Sequence, residues 1–147
     1  MAWWVAPGGI SSVHAECQFD WGMTPGIPGV DGTVRAFLVY DDGSGPKLIV
    51  AGGFSVAGTT QALNIARWDG HAWSNLGAGL GRGEIDSVTS VALFDGKLIA
   101  SGSFTQSGSQ SVGRIAVWDG ISWTALPPGD LPSAASMVAF QGKLIVG

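Results

Sequence analysis

The sequence predicts an all-β chain built from four-stranded antiparallel units of about 50 residues. Three observations carry that prediction. The chain repeats itself at an offset of 50 residues, its apolar runs are short and punctuated by Asp-Gly pairs, and no segment sustains a 3.6-residue periodicity bounded by helix caps.

The repeat aligns KLIVAGGFSVAGTTQALNIARWDGHAWSNL (47–76) with KLIASGSFTQSGSQSVGRIAVWDGISWTAL (97–126) without a gap, and thirteen of the thirty positions are identical. The identities fall on glycine, tryptophan and the apolar strand positions. Upstream, VRAFLVYD (34–41) matches VTSVALFD (88–95), and a third copy opens as AASMVAFQGKLIVG (134–147).

Taken in order, the first strand of each copy alternates and ends in an aromatic-Asp pair, Tyr40-Asp41 and Phe94-Asp95. Asp95-Gly96 is a tight connection to the second strand, whereas the first copy carries a longer DDGSGP loop (41–46), an insertion that a hairpin tip tolerates. The second strand, KLIVAGGF in the first copy, is a continuous apolar run, which predicts burial on both faces. The third strand lies in NIARWD and RIAVWD, and the fourth in AWSNL and ISWTAL. Asp69-Gly70 and Asp119-Gly120 join them as hairpin turns, where glycine supplies positive φ without steric cost. Four strands per unit at this period is the arithmetic of β-propeller blades.

The expected organisation is a leader-like segment 1–15, a lead-in 16–32, blade 1 over 33–86, blade 2 over 87–133 and the start of a third blade over 134–147. Two blades and part of a third make an incomplete ring. Such a chain needs further blades or self-association to cover its apolar faces and strand edges.

Composition excludes several roles. Seven Lys and Arg against eleven Asp and Glu give a net charge of −4 with no basic run, so nothing supports nucleic-acid binding. No apolar stretch approaches the roughly 18 residues of a membrane-spanning helix. The leader-like MAWWVAPGGISSVHA ends in a small-residue pattern of the kind cleaved after export, although a basic start is missing, and it predicts a secreted or cell-surface location. Cys17 is the only cysteine, which rules out an intrachain disulfide and a paired-cysteine zinc site.

The glycine pair Gly52-Gly53 after a hydrophobic strand, Trp68 beyond it and then Trp73 resemble the kelch motif, a double glycine followed by two spaced aromatics. The second copy repeats this with Gly102, Trp118 and Trp123. Two departures stand out: tryptophan replaces the usual tyrosine at Trp68 and Trp118, and Ser103 replaces the second glycine. The longer pattern of residues 17 to 147 is similar to secreted bacterial tandem-repeat proteins with kelch-like or galactose-oxidase-central-domain-like propellers. The WDG tripeptides also resemble WD40 repeats, but the period exceeds the 40–45 residues of that family.

The resemblance implies a fold without an activity. Copper-radical chemistry of the galactose-oxidase kind requires several tyrosine and histidine ligands, whereas this chain has one tyrosine, Tyr40, and two histidines, His14 and His71. No catalytic, cofactor or metal residues are therefore expected. Asp31, Asp42, Asp69, Asp95 and Asp119 read as turn residues, because calcium needs about six to eight converging oxygens. Only loop 41–46 is dense enough in oxygens to keep an ion in view. Glu84 and Asp86 read as solvated loop acids, and Gly52, Gly53, Gly70, Gly102, Gly120, Asp69, Asp119 and the four repeated tryptophans read as structural positions.

The expected function is that of a non-catalytic binding or scaffold module of a secreted protein. Contacts to protein or carbohydrate would run through the polar, weakly charged loops 55–61, 77–86, 105–111 and 127–133. The alternative expectation is the propeller portion of an extracellular polysaccharide-acting enzyme whose catalytic residues lie outside this chain.

Overall fold

Alternation and Asp-Gly punctuation resolve, in a computed structural model, into strands without any helix among the described residues, which are 29–83, 85–127 and 131–147. The leader reading of 1–15, His14, Cys17, most of the lead-in 16–32 and Glu84 lie outside them. In chain order the strands are β1 (Thr33–Asp41), β2 (Pro46–Gly53), β3 (Val56–Ala57), β4 (Thr60–Gln61), β5 (Ile65–Trp68) and β6 (Trp73–Asn75). The second copy repeats them as β7 (Val88–Phe94), β8 (Lys97–Gly102), β9 (Gln106–Ser107), β10 (Gln110–Ser111), β11 (Ile115–Trp118) and β12 (Trp123–Ala125). A last hairpin pairs β13 (Met137–Phe140) with β14 (Lys143–Val146).

Each copy forms a four-stranded antiparallel sheet, ordered β1-β2-β5-β6 in unit 1 and β7-β8-β11-β12 in unit 2. Where the sequence predicts plain loops over 55–61 and 105–111, the structure has the small hairpins β3-β4 and β9-β10 between the second and third long strands. They are only two residues per strand, too short to show alternation. Both faces of the second strand are buried, as Ile49, Val50 and Ala51 in β2 and Leu98, Ile99 and Ala100 in β8 show.

The sheets stack face to face, with β1 beside β7 and β7 beside β13. Between units 1 and 2, Tyr40, Ile49, Ile65 and Leu76 meet Leu98, Phe104, Trp118 and Trp123 in one core. Between unit 2 and the last hairpin, Ala92, Ile99 and Ile115 meet Ala134 and Met137, so the second junction repeats the first with equivalent positions. The Ser101 hydroxyl reinforces it by accepting the Ala134 amide at 2.7 Å.

Turn chemistry explains the aspartates. The Asp69 carboxylate accepts the amides of His71 and Ala72, both at 2.8 Å, and Asp119 repeats this with Ile121 and Ser122. Gly70 and Gly120 follow at φ of 98° and 101°, the left-handed region that glycine enters freely. Asp95 and Gly96 both have positive φ, the I′ geometry that suits the twist of a two-residue hairpin, and Gln141-Gly142 repeats it.

These amide hydrogen bonds, led by Ala72 to Asp69 and Ser122 to Asp119, hold both carboxyls below the ordinary aspartate value of 3.8. A carboxyl whose folded value is depressed favours the folded state above its unfolded value, and that contribution disappears as pH falls through the folded value. Thermal midpoints should therefore decline as pH drops below about 4. Asp69→Asn and Asp119→Asn should each make the decline shallower in melts followed by circular dichroism.

Candidate functional site

The glycine pair is where the repeat motif meets backbone geometry. A register shift between Val34 and Ala36, and its counterpart between Val88 and Ser90, presses the preceding strand onto Gly52 and Gly102. A Cβ on Gly52 would lie 1.9 Å from the Thr33 carbonyl oxygen, and one on Gly102 would lie 2.0 Å from that of Ser87. The second glycine has no such restriction, since a Cβ on Gly53 meets nothing closer than 3.6 Å. That room explains Ser103, whose hydroxyl accepts the Ser87 amide at 2.9 Å.

The repeated tryptophans form tilted pairs across the β5-β6 and β11-β12 hairpins, with ring centroids 5.2 Å apart for Trp68 and Trp73 and 5.3 Å apart for Trp118 and Trp123. The pairs are alike in geometry and different in surroundings. Trp118 and Trp123 are buried against unit 1, and the Trp123 indole donates to the Leu76 carbonyl at 3.1 Å. Trp68 and Trp73 are half-buried and line an apolar groove of about 360 Å³ with Val34, Phe37, Leu48 and Val50.

A second, polar concavity of about 490 Å³ lies between the β3-β4 hairpin and the linker that leads into unit 2. Ser55, Gln61, Asn75, Gly77, Gly79 and Arg82 contribute to its walls. Asn64, fully buried at a φ of 61°, holds the two sides together. Its amide oxygen accepts the Phe54 amide at 3.2 Å, and its amide nitrogen donates to the Leu80 carbonyl at 2.7 Å. Leu80 itself is buried in the core, and its amide donates to the Leu63 carbonyl.

The far side of the linker is tied to unit 2. The Gly81 amide donates to the Gln106 carbonyl at 2.7 Å, the Arg82 guanidinium to the Gln106 side chain, and the Arg82 amide to the Asp86 carboxylate at 2.7 Å. The Asp31 amide meets the Val56 carbonyl in the same way at 3.0 Å, 50 residues earlier in both partners. Asp86 thus acts as a brace of the linker.

The cleft draws walls from the segments 55–61 and 77–86, and Asn64, Leu80 and Gln106, the groups that shape them, do not stand out in the sequence. The available signals were weak. Asn64 stands where the other copy has Arg114, and Leu80 is one apolar residue among glycines. Both become informative only once the linker is seen folded onto the hairpin.

No ion site forms in loop 41–46. The Asp41 carboxylate accepts the amides of Gly43 and Gly45, and Asp42 accepts from Ser44 and binds Lys47 at 3.0 Å and Arg67 at 3.1 Å. The Ser44 hydroxyl leads the causes that push the Asp42 carboxyl far below the usual aspartate range, with Lys47 next. Both acids are already engaged by the chain's own donors. Among the described residues no group of three His, Cys, Asp or Glu side chains converges as a metal site would require.

The polar cleft therefore presents amides, a hydroxyl, backbone groups and one guanidinium. Such a lining forms hydrogen bonds to a neutral polar ligand and supplies no acid-base pair among the residues that line it. No protein-family model, curated protein or solved structure matches the chain. No helix is long and apolar enough to cross a membrane among the described residues.

Proposed function

We propose that this chain forms blades of a kelch-like β-propeller and serves as a non-catalytic binding module of a secreted protein, taking a neutral carbohydrate in the cleft beside Asn64. The propeller reading draws support from the sheet order, in which the first strand of each four-stranded unit lies beside the first strand of the next. The leader-like residues 1–15 support export.

The single observation that carries the functional reading is the lining of the cleft. Gln61, Asn75, Ser55 and Arg82 offer paired donors and acceptors on a frame fixed by the buried Asn64, the arrangement that reads hydroxyl groups with little reorganisation. A glycan array followed by titration calorimetry tests it. Asn75→Ala and Arg82→Ala should each weaken binding of a retained glycan about three- to tenfold, the cost of one lost hydrogen bond. Retention on no glycan, or binding indifferent to both substitutions, would refute the reading.

A further inference from the structure

The sequence holds five Asp-Gly pairs, beginning at Asp31, Asp42, Asp69, Asp95 and Asp119. An aspartate before glycine is open to attack by the next backbone nitrogen on its own side-chain carboxyl, because glycine brings no Cβ to block the approach. Four of the five carboxylates are occupied. Asp31 accepts the Ser55 and Val56 amides, both at 2.8 Å, and Asp69 and Asp119 each accept two amides of their own turns. Asp42 is held by Ser44, Lys47 and Arg67, and the Gly43 amide that would attack it donates to Asp41 at 2.8 Å.

Asp95 is the exception. Among the described residues neither its carboxylate nor the Gly96 amide has a hydrogen-bond or ion-pair partner. Both residues are exposed, and a Cβ on Gly96 would meet nothing within 4 Å. Asp41, at the equivalent strand end of unit 1, is exposed even with unit 2 stacked on that unit, so stacking leaves this end of the strand pair open. The turn lies beyond Phe94 and Lys97, the last pair of the β7-β8 ladder, and a terminal pair opens at little cost. That opening frees the Asp95-Gly96 peptide to rotate toward the carboxyl.

We propose that Asp95 is a site of spontaneous modification, at which the Gly96 nitrogen closes on the Asp95 side-chain carboxyl and the chain isomerises to isoaspartate. The nitrogen bonds to Asp95 Cγ, and the hydroxyl of the neutral acid leaves with the amide proton as water, giving a cyclic imide. Water then cleaves the bond between the Asp95 main-chain carbonyl carbon and the Gly96 nitrogen. The chain now runs through Cγ and the former main-chain carbonyl carbon becomes the free carboxyl. The water lost is regained, so no cofactor, oxidant or reductant takes part. The product carries an extra carbon in the main chain, which a two-residue turn absorbs only by loosening Phe94 from Lys97.

Ageing the full chain in near-neutral buffer, followed by peptide mapping and enzymatic methylation of isoaspartyl carboxyls, tests this. Isoaspartate should form at Asp95 at least about tenfold faster than at the other four pairs, because each of those must first surrender hydrogen bonds to a charged group. In urea the five pairs should react at similar rates, since the partners of the folded state are gone. Asp95→Gln should abolish the signal at this turn and keep the fold, because Gln141-Gly142 makes the same turn between β13 and β14 with a side chain one methylene longer. Asp95→Asn should convert faster than the parent, releasing ammonia through the same imide. Isoaspartate appearing first at another pair, none at Asp95 once the urea sample has isomerised, a preference for Asp95 that survives in urea, or a D95N chain that keeps its amide would each overturn the inference.

Discussion

Alanine at Gly102 will unfold unit 2, and alanine at Gly52 will do the same to unit 1. The added methyl would sit 2.0 Å from the Ser87 carbonyl oxygen in the first case and 1.9 Å from that of Thr33 in the second, and neither obstacle is a flexible side chain that can swing away. Relief requires the first strand to separate from the second at the register shift, which would break neighbouring backbone pairs and open the core around Val88 or Val34. Losses on the order of 4 kcal/mol or more are expected, in the range reserved for disruption of a core or a strained backbone. Gly53→Ala is the internal control. Its Cβ has ordinary room at 3.6 Å, so chemical denaturation should place it within about 1 kcal/mol of the parent.

The second large effect separates two tryptophans that the repeat makes equivalent. Trp123→Ala removes a fully buried indole from the junction between units 1 and 2 and leaves the Leu76 carbonyl without its donor. A loss of about 3–5 kcal/mol is expected from the cavity alone. Set against a total stability of about 5–15 kcal/mol for a domain, that change removes a large share of the folding free energy. Trp73→Ala removes the same side chain from a half-buried site beside Val50 and Ala66, and should cost about 1–2 kcal/mol in dilute urea titrations. Equal losses at the two positions would mean that both lie in equally covered surroundings.

Much of this architecture was legible in the residues. The recurrence of Gly52, Trp68 and Trp73 as Gly102, Trp118 and Trp123 marks both sheets, and Asp69-Gly70 and Asp119-Gly120 mark the hairpins that pair their outer strands. The unbroken apolar run of the second strand correctly signalled burial on both faces, because a strand inside a stacked sheet meets neighbours above and below.

What the sequence hid has a common cause, namely groups whose role depends on a distant partner. Asn64 resembles a loop residue until Leu80, 16 residues on, folds back to accept its amide. Gln106 takes its meaning from Gly81 and Arg82 of the preceding linker. Likewise, the oxygens of loop 41–46 suggest a cation until Lys47 and Arg67 are seen to fill the space around Asp42. Local patterning specifies strands and turns, whereas the cleft arises from where separate turns land.

The central claim is that equivalent sheets stack with one kind of face on the other, and a double-mutant cycle tests it most directly. Leu76 and Trp123 share the core between units 1 and 2, while Leu126 and Trp73 are the same residue types at the equivalent positions with units exchanged and fall in separate clusters. Urea unfolding of Leu76→Ala, Trp123→Ala and the double variant should give a coupling of about 0.5–3 kcal/mol, and the Leu126-Trp73 cycle should be additive to within about 0.5 kcal/mol. Additivity in the first cycle, or equal coupling in both, would contradict the stacking order on which the account rests.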